Sequence, residues 1–287
     1  MDSMAVESTG FFAQNPNLRE FACGGTAAAI NIVLTFVPNK IMFRQQLYGS
    51  STVQAWQSLQ QDGWNMLYRG VRPPLMQAAV AKSFMFGLYN CYNDAMTDEY
   101  GNHINGIATS HYAAFLSGTS EAILTPFERA QTLLQTVKYN NEFKGAIDAF
   151  HRISMLGVRE HYRGLSAVLL RNGPSNVVFF GLRENVRDFL PETTTPHMTL
   201  AADFVSGAVL GAFLSTLFFP LNVAKTRMQS IYGGEYIGVA EALRRTYVER
   251  DHSWRHVYRG VHINFVRSLV SWGIINSAYE KLKLLTE

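Results

Sequence analysis

The chain has 287 residues, of which 47% are hydrophobic and only 16% are charged, and its formal net charge is +3. Because a soluble domain carries about 25% charged residues, this composition favours a membrane protein over an ordinary soluble one. The mean hydropathy of −0.02 is low for several spans and favours helices whose polar inner faces line a water-filled cavity. With only two cysteines, the chain has no disulfide framework. It also lacks a recognisable catalytic motif and the spacing of metal ligands, so we expect neither an enzyme nor a bound cofactor or metal.

The predicted elements begin with an N-terminal tail, residues 1–20, which lacks the Arg-rich amphipathic pattern of a targeting peptide. Any signal that targets the protein to an organelle is therefore expected to be internal to the sequence. Six apolar helices follow, joined in pairs by polar stretches with a short amphipathic segment, and they lie near 21–48, 73–93, 112–135, 167–187, 202–232 and 263–283. The stretch 204–224 has no charged residue over 21 positions, which at ~1.5 Å per residue is enough to cross a hydrocarbon core.

Two short elements recur along the chain. The tripeptide Tyr-Arg-Gly begins at Tyr68, Tyr162 and Tyr258, with spacings of 94 and 96 residues. A longer element follows an apolar run three times, as VPNKIMFRQQ, PFERAQTLLQ and PLNVAKTRMQ, with spacings of 89 and 94 residues. Two independent markers that advance together indicate internal repeats. We expect three two-helix units, at 21–101, 102–197 and 198–287.

The segments that connect the predicted helices separate by charge. Those inside the units total +7, and they are 44–69, 129–163 and 225–259. Those outside the units total −7, and they are 1–20, 88–112, 183–203 and 280–287. The positive-inside rule then puts both termini on the negative side of a membrane and the segments inside the units on the other side.

The two recurring elements resemble those of the mitochondrial carrier family, solute carrier family 25, and the resemblance covers essentially the whole chain. It implies an all-α membrane protein with six transmembrane helices in three tandem two-helix repeats, short matrix helices and a pseudo-threefold carrier barrel. It also implies a monomer in the mitochondrial inner membrane, with both termini toward the intermembrane space and the positive segments in the matrix. Inner-membrane lipid such as cardiolipin is then an expected partner, and nucleic acid is not.

The family signature reads Pro-x-acid-x-x-base, and the acid and base of neighbouring repeats pair into a gate that closes the matrix side. Repeat 2 keeps the acid as Glu128 but has Gln131 at the base position. Repeat 3 keeps the base as Lys225 but has Asn222 at the acid position. Since the acid of repeat 2 pairs with the base of repeat 3, the resemblance implies one surviving bridge, Glu128 with Lys225. The missing pairs either weaken the closed gate or reflect neutral drift, since the net value of a buried pair can have either sign.

Repeat 1 departs furthest from the signature. With Val37 at the proline position, Asn39 stands at the acid position and Met42 at the base position. The family also has a glutamine nine positions after the proline, which braces the matrix gate. All three repeats keep this glutamine, as Gln46, Gln135 and Gln229.

A second gate of the family closes the cytoplasmic side and reads aromatic-acid-x-x-base at the end of each even helix. Repeat 3 fits it fully with Tyr279, Glu280 and Lys283. Repeat 2 offers Glu184 and Arg187, while repeat 1 has neither charge. We therefore expect two sparse gates that alternate around one cavity.

The family's contact points for the solute lie on the even helices, seven residues after the repeated Gly, which here gives Gln77, Arg171 and Arg267. An arginine in the middle of a spanning helix is costly unless it faces water or an anion. Since its forked donors suit phosphate or carboxylate oxygens, the solute is expected to be anionic. The alternative is a purely structural role for the two arginines.

Glu121, on an odd helix, would repel a simple polyanion, but it would hydrogen-bond ribose hydroxyls or attract a cationic ring. The alternative is that Glu121 only neutralises an arginine in the empty carrier. Further expected neighbours of the solute are Asn172, Ser175, Asn176, Lys82 and, for base stacking, Trp272.

Longer stretches resemble a divergent NAD-transporting branch of the same family, and they are FRQQLYG, PPLMQ, MFGLY, ERAQTLLQ, YRGLSAVLLRNGPSNVVFFGLR, KTRMQS and SWGIIN. This resemblance implies import of NAD+ into the matrix by alternating access through one central site, with NAD+ as the transported substrate. The pyrophosphate would suit Arg171 and Arg267, and the nicotinamidium and riboses would suit Glu121. The Arg171-Asn172 pair departs from the Gly-aliphatic pair of adenine-nucleotide carriers, which disfavours ATP/ADP exchange.

Two other interpretations of the sequence stay open. Within the same fold, the solute is another anion such as a nucleotide, a keto acid or coenzyme A, and transport competition separates these from NAD+. Outside it, the chain is a soluble all-α repeat scaffold that binds a partner protein, an interpretation supported by the low hydropathy. Carbonate extraction would release such a scaffold from membranes.

Overall fold

The computed structural model describes residues 16–78, 115–116, 119–188 and 196–285. Within these ranges the regular structure is helical and contains no strand, so the predicted all-α class is confirmed there. The helices are α1 Pro16–Tyr48, α2 Thr52–Gln61, α3 Thr125–Gln135, α4 Ala146–Met155, α5 Val158–His161, α6 Leu165–Asp188, α7 Pro196–Leu217, α8 Phe219–Gln229, α9 Val239–Glu249, α10 Trp254–Val257 and α11 Val261–Leu285. Short 3-10 turns lie at Trp64–Met66, Glu121–Leu124 and Val137–Tyr139.

The sequence predicts one helix over 202–232, and this prediction is wrong. The chain forms α7 and α8 instead, which end at Leu217 and Gln229, and the axes of 206–217 and 219–229 are bent by 61°. Pro220 contributes to the break, because it lacks the N–H that would continue the helix and its ring clashes with the carbonyl four residues earlier. In repeat 2, a 3-10 turn precedes Pro126 in the same way.

The even helices agree with their predicted bounds where the structure describes them. The predictions of 167–187 and 263–283 fall within two residues of the bounds of α6 and α11. Residues 72–78 are helical, and the remainder of the helix predicted at 73–93 lies outside the described residues.

Amphipathic helices support the ends of the recurring elements 37–46, 126–135 and 220–229, which we call the signature segments. α2 packs against α1, α4 against α3, and α9 against α8. The buried faces come from apolar residues at helical spacing, such as Leu59 in α2 and Ile153 in α4. A capping box starts α2, in which Gln54 N donates to Ser51 Oγ at 3.3 Å and Ser51 N donates to Gln54 Oε1 at 3.0 Å.

The long helices pack side by side. α1 lies against α11 and α8, α6 lies against α7 and α8, and α7 lies against α11. The first and last described helices are therefore in contact. Among the described residues, 22–48 in α1 is long and apolar enough to cross a membrane, and the bent pair 206–217 and 219–229 qualifies jointly. Polar residues such as Arg171 in α6 and Arg267 in α11 interrupt the apolar character of the other long helices.

Candidate functional site

A chain of hydrogen bonds links four polar side chains from three elements. Asn172 on α6 donates from Nδ2 to Oε2 of Glu121, in the 3-10 turn before α3, at 3.2 Å. Its Oδ1 accepts from Nε of the neighbouring Arg171 at 2.8 Å. Arg171 Nη1 donates in turn to Oδ1 of Asn222, in the first turn of α8, at 2.8 Å. Folding thus brings together Glu121, Arg171 and Asn172, which the sequence predicts as substrate contacts.

Arg171 is held by amide oxygens rather than by carboxylates. Both of its hydrogen bonds end on asparagine side chains, and no salt bridge to it is present among the residues that the structure describes. Asn172, which is buried, stands between the guanidinium and the carboxylate of Glu121. The site therefore offers an oriented cation and a carboxylate that do not neutralise each other by direct contact.

Arg267 on α11 is positioned in a similar way. Its Nη2 donates to Asn264 Oδ1 at 3.2 Å, and Asn264 Nδ2 donates to the Ser215 carbonyl of α7 at 3.2 Å. Its Nε is buried and has no hydrogen-bond partner within the described part of the chain. Arg267 lies close enough to Arg171 for the two charges to repel each other. Two such guanidinium groups favour an anion between them.

An ion pair lies beside this hydrogen-bond chain and joins α3 to α8. Lys225 Nζ is 3.1 Å from Glu128 Oε2, and both side chains are less than a fifth exposed. Gln77 lies beside the Glu128 carboxylate. The two residues that the sequence predicts to form the one surviving matrix-gate bridge are therefore in contact, and the contact point Gln77 adjoins them.

The three predicted bracing glutamines lie buried at the ends of the signature segments. Gln229 Oε1 accepts from Thr132 Oγ1 at 3.2 Å, and Gln46 Oε1 accepts from Thr226 Oγ1 at 3.0 Å, so each bond joins one repeat to another. Phe43 stands at the corresponding threonine position of repeat 1. The side-chain nitrogens of Gln135 and Gln229 are both buried without a hydrogen-bond partner in the described structure.

The repeated Tyr-Arg-Gly elements also join one repeat to the next. Each arginine donates to main-chain carbonyls of the loop after a neighbouring signature segment, and the partners are Phe143 for Arg69, Gly233 for Arg163 and Gly49 for Arg259. Each glycine lies against a glutamine of the same neighbouring segment, and these partners are Gln135 for Gly70, Gln229 for Gly164 and Gln45 for Gly260. In repeat 1, the adjacent Gln45 and Gln46 therefore divide the two contacts that Gln229 makes alone in repeat 3.

A buried carboxylate reinforces the junction of repeats 2 and 3. Glu160 accepts from Arg129 at 2.6 Å, from Arg163 at 3.2 Å and from the hydroxyl of Tyr236 at 2.8 Å. Burial by itself would raise the pKa of Glu160, but the Tyr236 hydroxyl and the two guanidinium groups hold that pKa below its ordinary value.

The remaining predicted site residues divide into two groups. Ser175, Asn176 and Tyr279 are half-buried and Glu280 is exposed, on α6 and α11. Lys82 lies outside the described residues, as do the side chains of Trp272, Glu184, Arg187 and Lys283. Within the described residues, no cluster of three or more His, Cys, Asp or Glu side chains could hold a metal ion.

Two functional neighbours were missed from the sequence. In the sequence, Asn222 is noticeable only as a departure from the family signature. Its hydrogen bond to Arg171 depends on how α6 and α8 pack. Glu160 has no acidic counterpart two residues before the other Tyr-Arg-Gly elements, so the repeat pattern gives no signal for it.

Comparisons with known proteins match the chain along its length. A sequence model of the family described as "Mitochondrial carrier protein" matches residues 13–100, 105–194 and 196–287. The human mitochondrial nicotinamide adenine dinucleotide transporter SLC25A51 is 46% identical over 267 residues, which cover 92% of this chain and 89% of that protein. Human SLC25A52, with the same descriptive name, is 45% identical with the same coverage. Human solute carrier family 25 member 53 is 28% identical over 273 residues, 92% of this chain and 86% of its own.

Three successive matches to one family model, together with relatives above 40% identity, overturn the alternative interpretation of the sequence as a soluble repeat scaffold. They also agree with the lack of a catalytic motif, because a carrier moves its solute without converting it. The chain belongs to the mitochondrial carrier family, and it is therefore a transport protein of a mitochondrial membrane rather than an enzyme.

Proposed function

We propose that the chain imports NAD+ across the mitochondrial inner membrane into the matrix. The observation that carries the proposal is the hydrogen-bond chain from Glu121 through Asn172 to Arg171, which holds in one site a carboxylate and a guanidinium without a salt bridge among the described residues. NAD+ carries groups that match both, a pyrophosphate on one side and riboses with a cationic nicotinamide ring on the other. Relatives named as NAD transporters, at 46% and 45% identity, support the same substrate.

The arginines bind the pyrophosphate of the substrate. Arg171 and Arg267 are oriented by asparagines, so their forked donors are available to phosphate oxygens, with which charge-assisted hydrogen bonds are short and strong. The buried Nε of Arg267 adds a free donor. Glu121 accepts hydrogen bonds from ribose hydroxyls and attracts the nicotinamidium ring. The further substrate neighbours in this proposal are Gln77, Asn172, Ser175, Asn176, Lys82 and, for base stacking, Trp272.

Transport proceeds by alternating access through this one site. Six transmembrane helices, in repeats at 21–101, 102–197 and 198–287, form the pseudo-threefold barrel of the family. The Glu128–Lys225 pair, with the glutamines Gln46, Gln135 and Gln229, closes the matrix side and separates when the substrate leaves. On the other side, a cytoplasmic gate forms from Tyr279, Glu280, Lys283, Glu184 and Arg187.

The membrane setting follows from the charge distribution. Both termini face the intermembrane space, and the short amphipathic helices lie on the matrix side, where the connecting segments are positive. Since three repeats close a barrel within one chain, the carrier works as a monomer. Its partners are inner-membrane lipids such as cardiolipin, and no nucleic acid takes part.

The test is uptake of labelled NAD+ into liposomes that contain the purified protein. Arg171→Ala and Glu121→Ala remove one group from each side of the site. A hydrogen bond to a charged group contributes about 1.5–3 kcal/mol, so we expect each change to reduce transport efficiency roughly tenfold to a hundredfold. Arg244→Ala, at an exposed arginine of α9 whose ion pair in the described part of the chain is with Glu241, is the matched control and should keep full uptake.

The same preparation distinguishes NAD+ from other anions. Saturable uptake that both site variants reduce at least tenfold and the control retains supports the substrate and the site together. A folded protein that takes up a nucleotide, a keto acid or coenzyme A but no NAD+ would overturn the substrate assignment and leave the family assignment intact.

A further inference from the structure

Asn222 stands at the position where the family signature has an acidic residue. The base that such an acid would face in repeat 1 is replaced by Met42, which packs in an apolar cluster with Phe219 and Val223. A carboxylate at position 222 would therefore find no cation in repeat 1. The Asn222 amide oxygen accepts a hydrogen bond from Arg171 instead, at 2.8 Å.

The charge of residue 222 decides whether the positive charge of Arg171 remains available to a substrate. An amide oxygen orients the guanidinium without neutralising it, and the second acceptor, Asn172, is also an amide. A carboxylate at the same 2.8 Å would form a charge-assisted pair, and such bonds are roughly twice as strong as neutral ones. An anionic substrate would then have to displace an internal anion before it could bind Arg171.

We propose that Asn222 is a positioning and selectivity residue: it aims Arg171 at the substrate, and its neutrality keeps the charge of Arg171 free for the substrate's pyrophosphate. The inference rests on the proposed function and deepens it. The replacement of the signature acid by Asn222 in repeat 3 is then required for substrate binding, and it is not neutral drift in the gate.

The position of Asn222 also connects substrate binding with the gate. Asn222 and Lys225 are three residues apart in α8, so they lie on the same face of that helix. Asn222 bonds to α6 through Arg171, while Lys225 bonds to α3 through Glu128. When Arg171 turns to a bound anion, its hydrogen bond to Asn222 between α6 and α8 breaks, while the neighbouring ion pair of Glu128 and Lys225 remains.

The test compares wild-type protein with Asn222→Asp, which changes charge and leaves size nearly unchanged. We expect the apparent KM for NAD+ uptake to rise at least tenfold. The Tm of the substrate-free protein should stay constant or rise, because a new ion pair forms with Arg171, and the increase in Tm caused by NAD+ should shrink. A merely structural role for the Asn222 amide would instead lower the substrate-free Tm.

Two further variants test whether the effect acts through Arg171. In an Arg171→Ala background, Asn222→Asp should leave the already raised KM unchanged. Met42→Lys combined with Asn222→Asp restores the acid and base positions of the family signature, so the carboxylate gains another partner and the KM should return toward the wild-type value. If the lysine prevents folding in the apolar cluster, the comparison in the Arg171→Ala background still tests the inference.

An Asn222→Asp protein with wild-type KM, or one with equal effects with and without Arg171, overturns the inference and leaves NAD+ transport standing. Wild-type protein that takes up no NAD+ overturns the proposed function instead. The substrate-free Tm of Asn222→Asp still tests the pairing with Arg171 in that case, since it involves no NAD+, and a lowered value overturns the inference.

Discussion

Glu160 stabilises the junction of repeats 2 and 3 at the residue scale, because two buried guanidinium groups share its carboxylate. In Glu160→Gln, Arg129 and Arg163 lose their counter-charge while they stay buried. Breaking a buried ion pair from one side costs about 3–5 kcal/mol. We therefore expect Glu160→Gln to lower the Tm of the purified carrier by several degrees or more. Thermal unfolding in detergent measures the change.

Glu241→Gln is the control for this prediction, since Glu241 pairs with exposed arginines in α9 and such surface pairs contribute about 0–1 kcal/mol. The pH dependence gives a second measurement. Because the pKa of Glu160 in the folded protein lies below the ordinary 4.5, its contribution is complete above pH 4.5 and is lost as the pH falls through the lowered value. The stability difference between wild type and Glu160→Gln should therefore shrink in acid, and a constant difference would contradict the assignment.

At the residue scale, the sequence singles out candidate substrate contacts by repeat position and by charge, and their contact with the substrate stays a prediction. Arg171 and Arg267 stand at equivalent places in two repeats, and Glu121 stands out as a charge in an apolar helix. Asn222 and Glu160 were not predicted, because a single sequence does not tell which polar side chains meet across helices. Arg171 is 51 residues from Asn222 along the chain, and Arg129 is 31 residues from Glu160.

At the element scale, the positions of the prolines did not determine where helices break. Pro38 lies inside the continuous helix α1, whereas Pro220 follows a break of 61° between α7 and α8. A proline removes the same hydrogen bond in each case, so the packing around it decides whether the helix bends or ends. For this reason the helix predicted at 202–232 was too long and was wrongly continuous.

The start of α6 provides a prediction about how elements dock. Gly164 has φ +85°, and a Cβ there would lie 2.9 Å from Cγ of Gln229, which is buried and bonded to Thr132. Gly164→Ala therefore adds a steric clash, which costs typically about 1–3 kcal/mol, to the cost of a positive φ. We expect a Tm well below that of wild type in thermal unfolding.

Gly157→Ala separates the two contributions, because Gly157 has φ +104° and open space around its Cα. It should cause the smaller decrease in Tm. Equal decreases for the two variants would mean that α6 is not seated tightly on the glutamine end of α8.

At the scale of the whole molecule, the contacts pass from each repeat to the next and from the last to the first. Arg69 reaches the loop of repeat 2, Arg163 that of repeat 3, and Arg259 that of repeat 1 at Gly49. The spacing of the tripeptides predicted three units, but it did not reveal that each arginine acts on a neighbouring unit. That relation depends on packing across the interface between units, which has no periodic signal in a sequence.

The charge distribution predicts the orientation of the whole carrier. We expect the termini in the intermembrane space and Glu142, which is exposed in the loop between α3 and α4, in the matrix. Single cysteines at these places report the orientation once the native Cys23 and Cys91 are replaced by alanine. In mitochondria with a ruptured outer membrane, a membrane-impermeant maleimide should label Ser3→Cys and Thr286→Cys. It should label Glu142→Cys only after detergent opens the inner membrane.

The cysteine-free protein without added cysteines sets the background, and NAD+ uptake by each variant shows that it is folded. Labelling of Glu142→Cys before detergent, with both terminal cysteines protected, would reverse the orientation. The positive connecting segments would then lie in the intermembrane space, against the positive-inside rule, and the gate formed by Glu128 and Lys225 would close toward that side. The expected pattern instead places that gate on the matrix side, where it opens to release the imported solute.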